Sequence, residues 1–169
     1  GNVRVKLRAA RAAAVVDESF AVNVAALEAV LPEWLAAEVI TAGLASGALK
    51  PDLDTYRGLG DAYSLSEDWP KAVDAYTKAV PFAQDGEMEF QRGHILIQEQ
   101  DQYAEGKTAI RAALAKGGLK RPEDAKLRLG LALLQSGKNK AKAVQVLRSV
   151  RGADGAADLG RLWAVYANQ

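Results

Sequence analysis

Residues 53–85 read LDTYRGLGDAYSLSEDWPKAVDAYTKAVPFAQD, and the order of small, aromatic and helix-breaking residues in this stretch decides the fold. Apolar and small side chains recur at i, i+3, i+4 and i+7 through 53–66 and again through 70–82, the spacing of an amphipathic helix. Glu67-Asp68 stands where the second helix starts, and charge and capping at a helix N-terminus account for that acidic pair. Lys50-Pro51-Asp52 before the stretch and Gln84-Asp85-Gly86 after it supply breaks of the same kind. The stretch is a pair of helices joined by a short turn.

The same punctuation extends outward. Ala45-Ser46-Gly47, Lys116-Gly117-Gly118 and Gln135-Ser136-Gly137 provide helix-ending glycines, and the spacing predicts helices over 3–15, 18–30, 32–46, 53–66, 70–82, 87–100, 103–116, 122–136, 140–150 and 156–167. No strand-like alternation interrupts them, so the expected class is all-α. A chain of 169 residues, 49% hydrophobic and 25% charged, is long enough to bury roughly two thirds of its extended surface. The absence of cysteine excludes a disulfide framework, a thiol nucleophile and a Cys-type zinc site, and a single histidine excludes a His-rich metal centre within the chain. The longest uncharged run, Val39 to Leu49, is far shorter than the roughly 20 apolar residues that span a bilayer. Gly1 stands where an initiator Met is usual, so a longer parent protein is expected.

Tyr56, Leu59-Gly60, Tyr63, Trp69, Ala72, Tyr76 and Ala79 together resemble the tetratricopeptide repeat, with an aromatic, Leu-Gly and Tyr on the first helix and Ala, an aromatic and Ala on the second. In such a pair Gly60 and Ala72 are expected at the closest approach of the two helices, with Tyr56, Tyr63 and Tyr76 filling the space around it. Two weaker copies follow: Gly93, Leu96, Tyr103, Gly106, Ile110 and Ala113, with Phe90 one place late for the leading aromatic, and then Leu129-Gly130, Leu133, Ala143, Leu147 and Val150. Both need one extra residue between their helices, and Gly106 in place of the usual Ala is expected to loosen its helix. Upstream, Trp34, Ala36, Ile40 and Gly43-Leu44 look like the second helix of a degenerate repeat.

The resemblance implies a right-handed superhelical solenoid of antiparallel helix pairs. Its divisions are a helix left from a preceding repeat at 1–16, a degenerate repeat at 17–52, repeats at 53–85, 86–121 and 122–156, and a C-terminal capping helix at 157–169. Leu159, Leu162, Trp163 and Tyr166 fall at helical spacing and are expected to cover the Leu127, Leu131 and Leu134 face of the last repeat. The runs Gln84-Asp85-Gly86-Glu87, Ala115-Lys116-Gly117-Gly118-Leu119-Lys120-Arg121-Pro122, Leu129-Gly130-Leu131-Ala132-Leu133 and Leu162-Trp163-Ala164-Val165-Tyr166 are similar to tetratricopeptide proteins associated with bacterial TonB transport systems. That similarity implies a periplasmic or envelope-attached adaptor assisting TonB-dependent energy transduction, with a TonB-system component as partner.

In the repeat family, fixed positions of each first helix line a concave groove that receives a peptide. Carried onto this chain they give Asp54, Arg57, Asp61, Ser64 and Leu65, then Glu87, Phe90, His94, Ile97 and Gln98, then Asp124, Leu127, Leu131, Leu134 and Gln135. Arg57 with Asp61 replaces the Lys and Asn with which chaperone-binding relatives clamp a carboxylate, so an acidic chaperone tail is disfavoured. The expected partner brings a basic or polar contact to Asp54, Asp61 and Glu87 and an apolar anchor to Phe90 and Ile97. Packing of Phe90 and Ile97 between neighbouring helices is the equal alternative.

No catalytic residues, cofactor or metal site are expected. His94 has no partner acid at i+4 and no second histidine, and Gly58-Leu59-Gly60 lies inside a helix without the strand or the GKS/GKT ending of a phosphate loop. Charge is segregated: residues 17–105 hold 17 acids and 5 bases, residues 107–151 hold 12 bases and 2 acids. Lys116, Lys120, Lys126, Arg128, Lys138, Lys140, Lys142 and Arg148 could meet nucleic acid or anionic lipid, yet stacking aromatics are assigned to the cap, which disfavours nucleic acid. The function expected is a non-catalytic protein-binding scaffold. The alternatives are the regulatory arm of a larger enzyme and a module that self-associates through its N-terminal helix face.

Overall fold

The computed structural model describes residues 33–137, 140–152 and 156–167, which hold eight α-helices, one 3₁₀ turn and no strand. The expected helices over 3–15 and 18–30, and with them the N-terminal face considered for self-association, lie outside the described residues. The rest match the expected segments to within a few residues, and the chain divides into two compact units at Phe82–Ala83.

The first unit contains α1 (Glu33–Ser46), α2 (Leu53–Leu65) and α3 (Trp69–Ala79), closed by a 3₁₀ turn at Val80–Phe82. Asp52 caps α2, accepting a 2.9 Å bond from the Thr55 amide, as the Pro51-Asp52 break requires. α1 packs on α2 and α2 on α3, around Ala36, Ala37, Ile40, Leu49, Leu59, Ala62 and Ala75. Small residues dominate this core, so the helices sit close and each lost methyl would leave a void that neighbours cannot fill.

The second unit contains α4 (Glu87–Gln98), α5 (Tyr103–Lys116), α6 (Pro122–Gln135), α7 (Lys140–Ser149) and α8 (Ala156–Tyr166), each packed on the next. One cluster joins Ile97, Ile110, Ala125, Leu129, Ala132, Leu133 and Ala143, and another joins Leu127, Val144, Leu147, Val150, Ala156, Ala164 and Ala167. The start of α4 is tied to the end of α5 by the Gly86 amide donating to the Gly117 carbonyl at 2.8 Å and by Lys116 Nζ at 3.0 Å from the buried carboxylate of Glu89.

A single contact repeats through both units. A Cβ on Gly60 would lie 2.6 Å from the Tyr76 ring, one on Gly93 would lie 2.7 Å from Ile110 Cγ1, and one on Gly130 would lie 2.6 Å from Leu147. Each first-helix glycine therefore admits a large side chain of the second helix directly against its backbone. The partner is 16 residues on in the first pair and 17 in the next two (76 − 60, 110 − 93, 147 − 130), and the interhelical segments lengthen from three residues (66–68) to four (99–102 and 136–139). The all-α architecture is repeat-like in this sense.

Two expectations are corrected, and a third is refined. Tyr76 fills the contact over Gly60 as expected, while Tyr56 lies 6.0 Å from Phe82 and the half-buried Tyr63 packs on the cluster of Ala36, Leu59 and Ala75, its hydroxyl 3.2 Å from Thr41 and Lys71 Nζ of α3 5.2 Å over its ring. Gly106 does not loosen its helix: a Cβ there would meet Ile97 Cγ1 at 2.5 Å and the Gly93 carbonyl at 3.0 Å, so the missing methyl brings α4 and α5 together. The terminal helix packs through Ala156, Ala157, Gly160, Ala164 and Ala167, leaving Leu159 48%, Leu162 65%, Trp163 38%, Val165 61% and Tyr166 66% exposed. A Cβ on Gly160 would stand 2.7 Å from the Leu147 carbonyl, so backbone proximity selects the small face of α8, and its large side chains turn outward.

Each turn within a pair places one residue in the left-handed region: Glu67 at φ 57°, Asp101 at φ 53° and Gly137 at φ 66°. At the first, the amides of Glu67 and Asp68 donate back to the carbonyls of Ser64 and Tyr63, a Schellman closure that favours glycine. Glu67→Gly relieves the Cβ crowding of that conformation, partly offset by the extra freedom of the unfolded chain, and is expected to stabilise the protein by about 0.5–1 kcal/mol. The check is a urea unfolding curve with a higher midpoint and an unchanged slope.

Candidate functional site

On α2, Asp54, Arg57, Asp61 and Ser64 follow one another at three- and four-residue steps and share one stripe. Its N-terminal half is open: Arg57 reaches Asp54 Oδ1 at 3.0 Å with both side chains in solvent, a pair too exposed to contribute much stability. Its C-terminal half is held in place. The buried Tyr76 donates its hydroxyl to Asp61 Oδ1 at 2.5 Å, and Ser64 Oγ donates to the Gly60 carbonyl at 2.8 Å. Asp61 thus positions the ring that fills the Gly60 contact and is only half accessible to a partner. Leu65 is exposed at the end of the helix.

On α4 the corresponding stripe is Glu87, Phe90, His94 and Ile97. Ile97 is 2% exposed and belongs to the core with Ile110 and Leu129, which is the interhelical alternative that its spacing left open. Phe90 is half-buried on the edge of the same cluster, and its ring stacks on His94 at 6.3 Å and 21°. On the same helix Glu87 Oε2, Glu89 Oε2, Arg92 Nε and the His94 ring's own Nδ1 are buried and without a hydrogen-bond partner. A buried polar atom left unpaired carries a desolvation cost that a ligand group can relieve. The stripe is therefore a half-buried aromatic ledge on a helix that carries unpaired polar atoms.

The third set of positions lies on α6. Asp124 pairs with Arg128 at 3.2 Å, both largely buried, while Leu127 is in the core and Leu131 and Leu134 are half-buried against α8. Gln135 is exposed at the helix end. Burial, and after it the Arg128 charge, push the His94 pKa down from 6.5 to about 4, with Asp124 acting in the opposite sense. His94 is neutral at pH 7, with no charge to offer an anion. Arg128 as a neighbour of His94 was not assigned to the stripe from the sequence; the acid-to-base step of four residues from Asp124 was the available signal.

Among the described residues no three His, Cys, Asp or Glu side chains are arranged to hold a metal, and no helix is long and apolar enough to cross a membrane. No family model matches the chain, and no curated protein matches it.

The folded-state pKa of His94 lies below its unfolded value, so the unfolded chain takes up the proton first as pH falls. The stability contributed by neutral His94 is complete above about pH 6.5 and is lost as pH drops through 4. His94→Gln is expected to remove this component, on the order of 1–2 kcal/mol after solvent screening, from the stability–pH curve. Because the chain has one histidine, its imidazole proton resonance should titrate near 4; a midpoint at 6.5 would show a solvated ring.

Proposed function

We propose that the helix pairs are tetratricopeptide-type repeats of a right-handed superhelical solenoid, and that the chain is a non-catalytic scaffold whose first-helix stripes bind a peptide or protein segment. The repeated glycine contact, Gly60 on Tyr76, Gly93 on Ile110 and Gly130 on Leu147, supports the repeat reading, since each brings a first helix onto its partner at the same relative position. The observation that carries binding is the α4 ledge. Phe90 offers a partly exposed apolar surface stacked on His94, and the half-buried Glu87 and His94 side chains on the same helix lack hydrogen-bond partners at Oε2 and Nδ1, so turning toward a ligand lets them accept from it. A peptide bringing an apolar side chain and adjacent N–H or cationic donors supplies both.

The similarity of residues 84–87, 115–122, 129–133 and 162–166 to TonB-associated tetratricopeptide proteins directs the partner search to the periplasm and cell envelope. A TonB-system component is the partner this reading favours.

The test is affinity capture from envelope extract with the unaltered chain and with a Glu87→Lys, Phe90→Ala double variant of matched helicity and melting temperature. Glu87 is preferred to Asp61 for substitution because Asp61 also holds Tyr76. Loss of a partner by about tenfold or more in the variant is the expected result, equivalent to one anchor and one charge contact. Equal recovery by both proteins would place recognition elsewhere.

A further inference from the structure

The outward turn of the α8 side chains creates a second feature that the α2 and α4 stripes do not use. A cleft of about 600 Å³ opens between the end of α6, the start of α7 and the last turns of α8, lined by Leu134, Gln135, Gly137, Lys140, Trp163, Tyr166 and Ala167. Its wall is an edge-to-face aromatic pair, with the Trp163 and Tyr166 rings 5.6 Å apart at 88°. The volume is that of a site for one large side chain with its flanking backbone. Trp and Tyr are the residues that contribute most binding energy where they border such a pocket.

Charge identifies the occupant. Residues 107–151 hold 12 bases and only two acids, Glu123 and Asp124, and both acids are already engaged, by Lys126 at 2.6 Å and Arg128 at 3.2 Å. α7 carries Lys140, Lys142 and Arg148 and no acid, and on α8 Asp158 pairs with Arg161. Among the described residues no carboxylate bridges to Lys140, which stands exposed at the cleft mouth. An apolar pocket bordered by the Lys140 ammonium, with no carboxylate among its described lining residues, selects a negatively charged ligand with an apolar core. The geometry points to a docking site for an acidic peptide segment, whose large apolar side chain enters between Leu134, Trp163 and Tyr166 while a neighbouring carboxylate pairs with Lys140. The concave shape fits a side chain better than a flat lipid surface. This site stands whether or not the α4 ledge binds peptide.

The experiment uses the full chain and three labelled peptides: a Leu-Phe pair flanked by glutamates, the same pair flanked by lysines, and a Ser-Ser pair flanked by glutamates. Fluorescence anisotropy is expected to show the first binding at least about tenfold tighter than either of the others. Trp163→Ala and the two-thirds-exposed Tyr166→Ser should each weaken it by about tenfold, and the latter removes so little buried surface that the fold is retained. Lys140→Glu should shift preference towards the lysine peptide, whereas Lys107→Glu, the same charge change on α5, should have little effect. Equal loss in Lys140→Glu and Lys107→Glu would show diffuse attraction and overturn the site. So would indifference to Tyr166→Ser, failure of the acidic Leu-Phe peptide to bind, preferential insertion of Trp163 into anionic phosphatidylglycerol vesicles, or a stable dimer whose formation protects Trp163.

Discussion

The close approach of helix to helix at a bare glycine backbone is the constraint on which the rest depends. Gly60, Gly93 and Gly130 each accept a large residue of the following helix where a Cβ would collide with it. An isolated helix of 10 to 14 residues, the length of those here, is marginal in water, so tertiary contact must supply the stability. A helix interior tolerates glycine at a cost of about 1 kcal/mol relative to alanine, and that cost is offset only where the space is filled. The filled space then fixes the rotation of each first helix about its axis. That rotation determines which residues face outward, such as Asp54 and Arg57 on α2, and which are left half-buried, such as Glu87, Phe90 and His94 on α4.

The same rule governs the terminal helix. Gly160 brings α8 onto the Leu147 carbonyl, with Ala156, Ala157, Ala164 and Ala167 on the buried side. Burying Trp163 and Tyr166 would remove more apolar area, but it would hold the backbones apart and forfeit contacts with Leu127, Val144 and Val150. Packing therefore leaves the aromatic pair to line the cleft near Lys140. A contact chosen for stability determines which surface remains for binding.

Much of this was legible in the sequence, because helix punctuation is local. The breaks at Pro51-Asp52, Asp85-Gly86, Gly117-Gly118 and Ser136-Gly137 place helix ends close to where they occur, and Tyr76 was readable as one of the rings around Gly60. Residues at the margin of a stripe were harder. Ile97 shares its helical face with Phe90, and whether a neighbouring helix covers that margin depends on Ile110 and Leu129, far along the chain. The neutral state of His94 has the same origin, since burial and Arg128 on another helix produce it. On α8 both the large and the small residues recur at helical spacing, and periodicity cannot choose between two faces that are each self-consistent. What decides is distance to the preceding pair, a tertiary quantity.

Gly93→Ala tests the constraint most directly, because the two accounts of that residue give opposite signs. If the glycine were incidental, alanine would raise stability by up to about 1 kcal/mol through helix propensity. If it holds α4 against α5, the new Cβ meets Ile110 Cγ1 at 2.7 Å and the Gly106 carbonyl at 3.0 Å, and overpacking should cost about 1–3 kcal/mol. Equilibrium unfolding in urea is expected to show that loss. A variant as stable as the unaltered chain, or more so, would contradict the account of how these helices are held together.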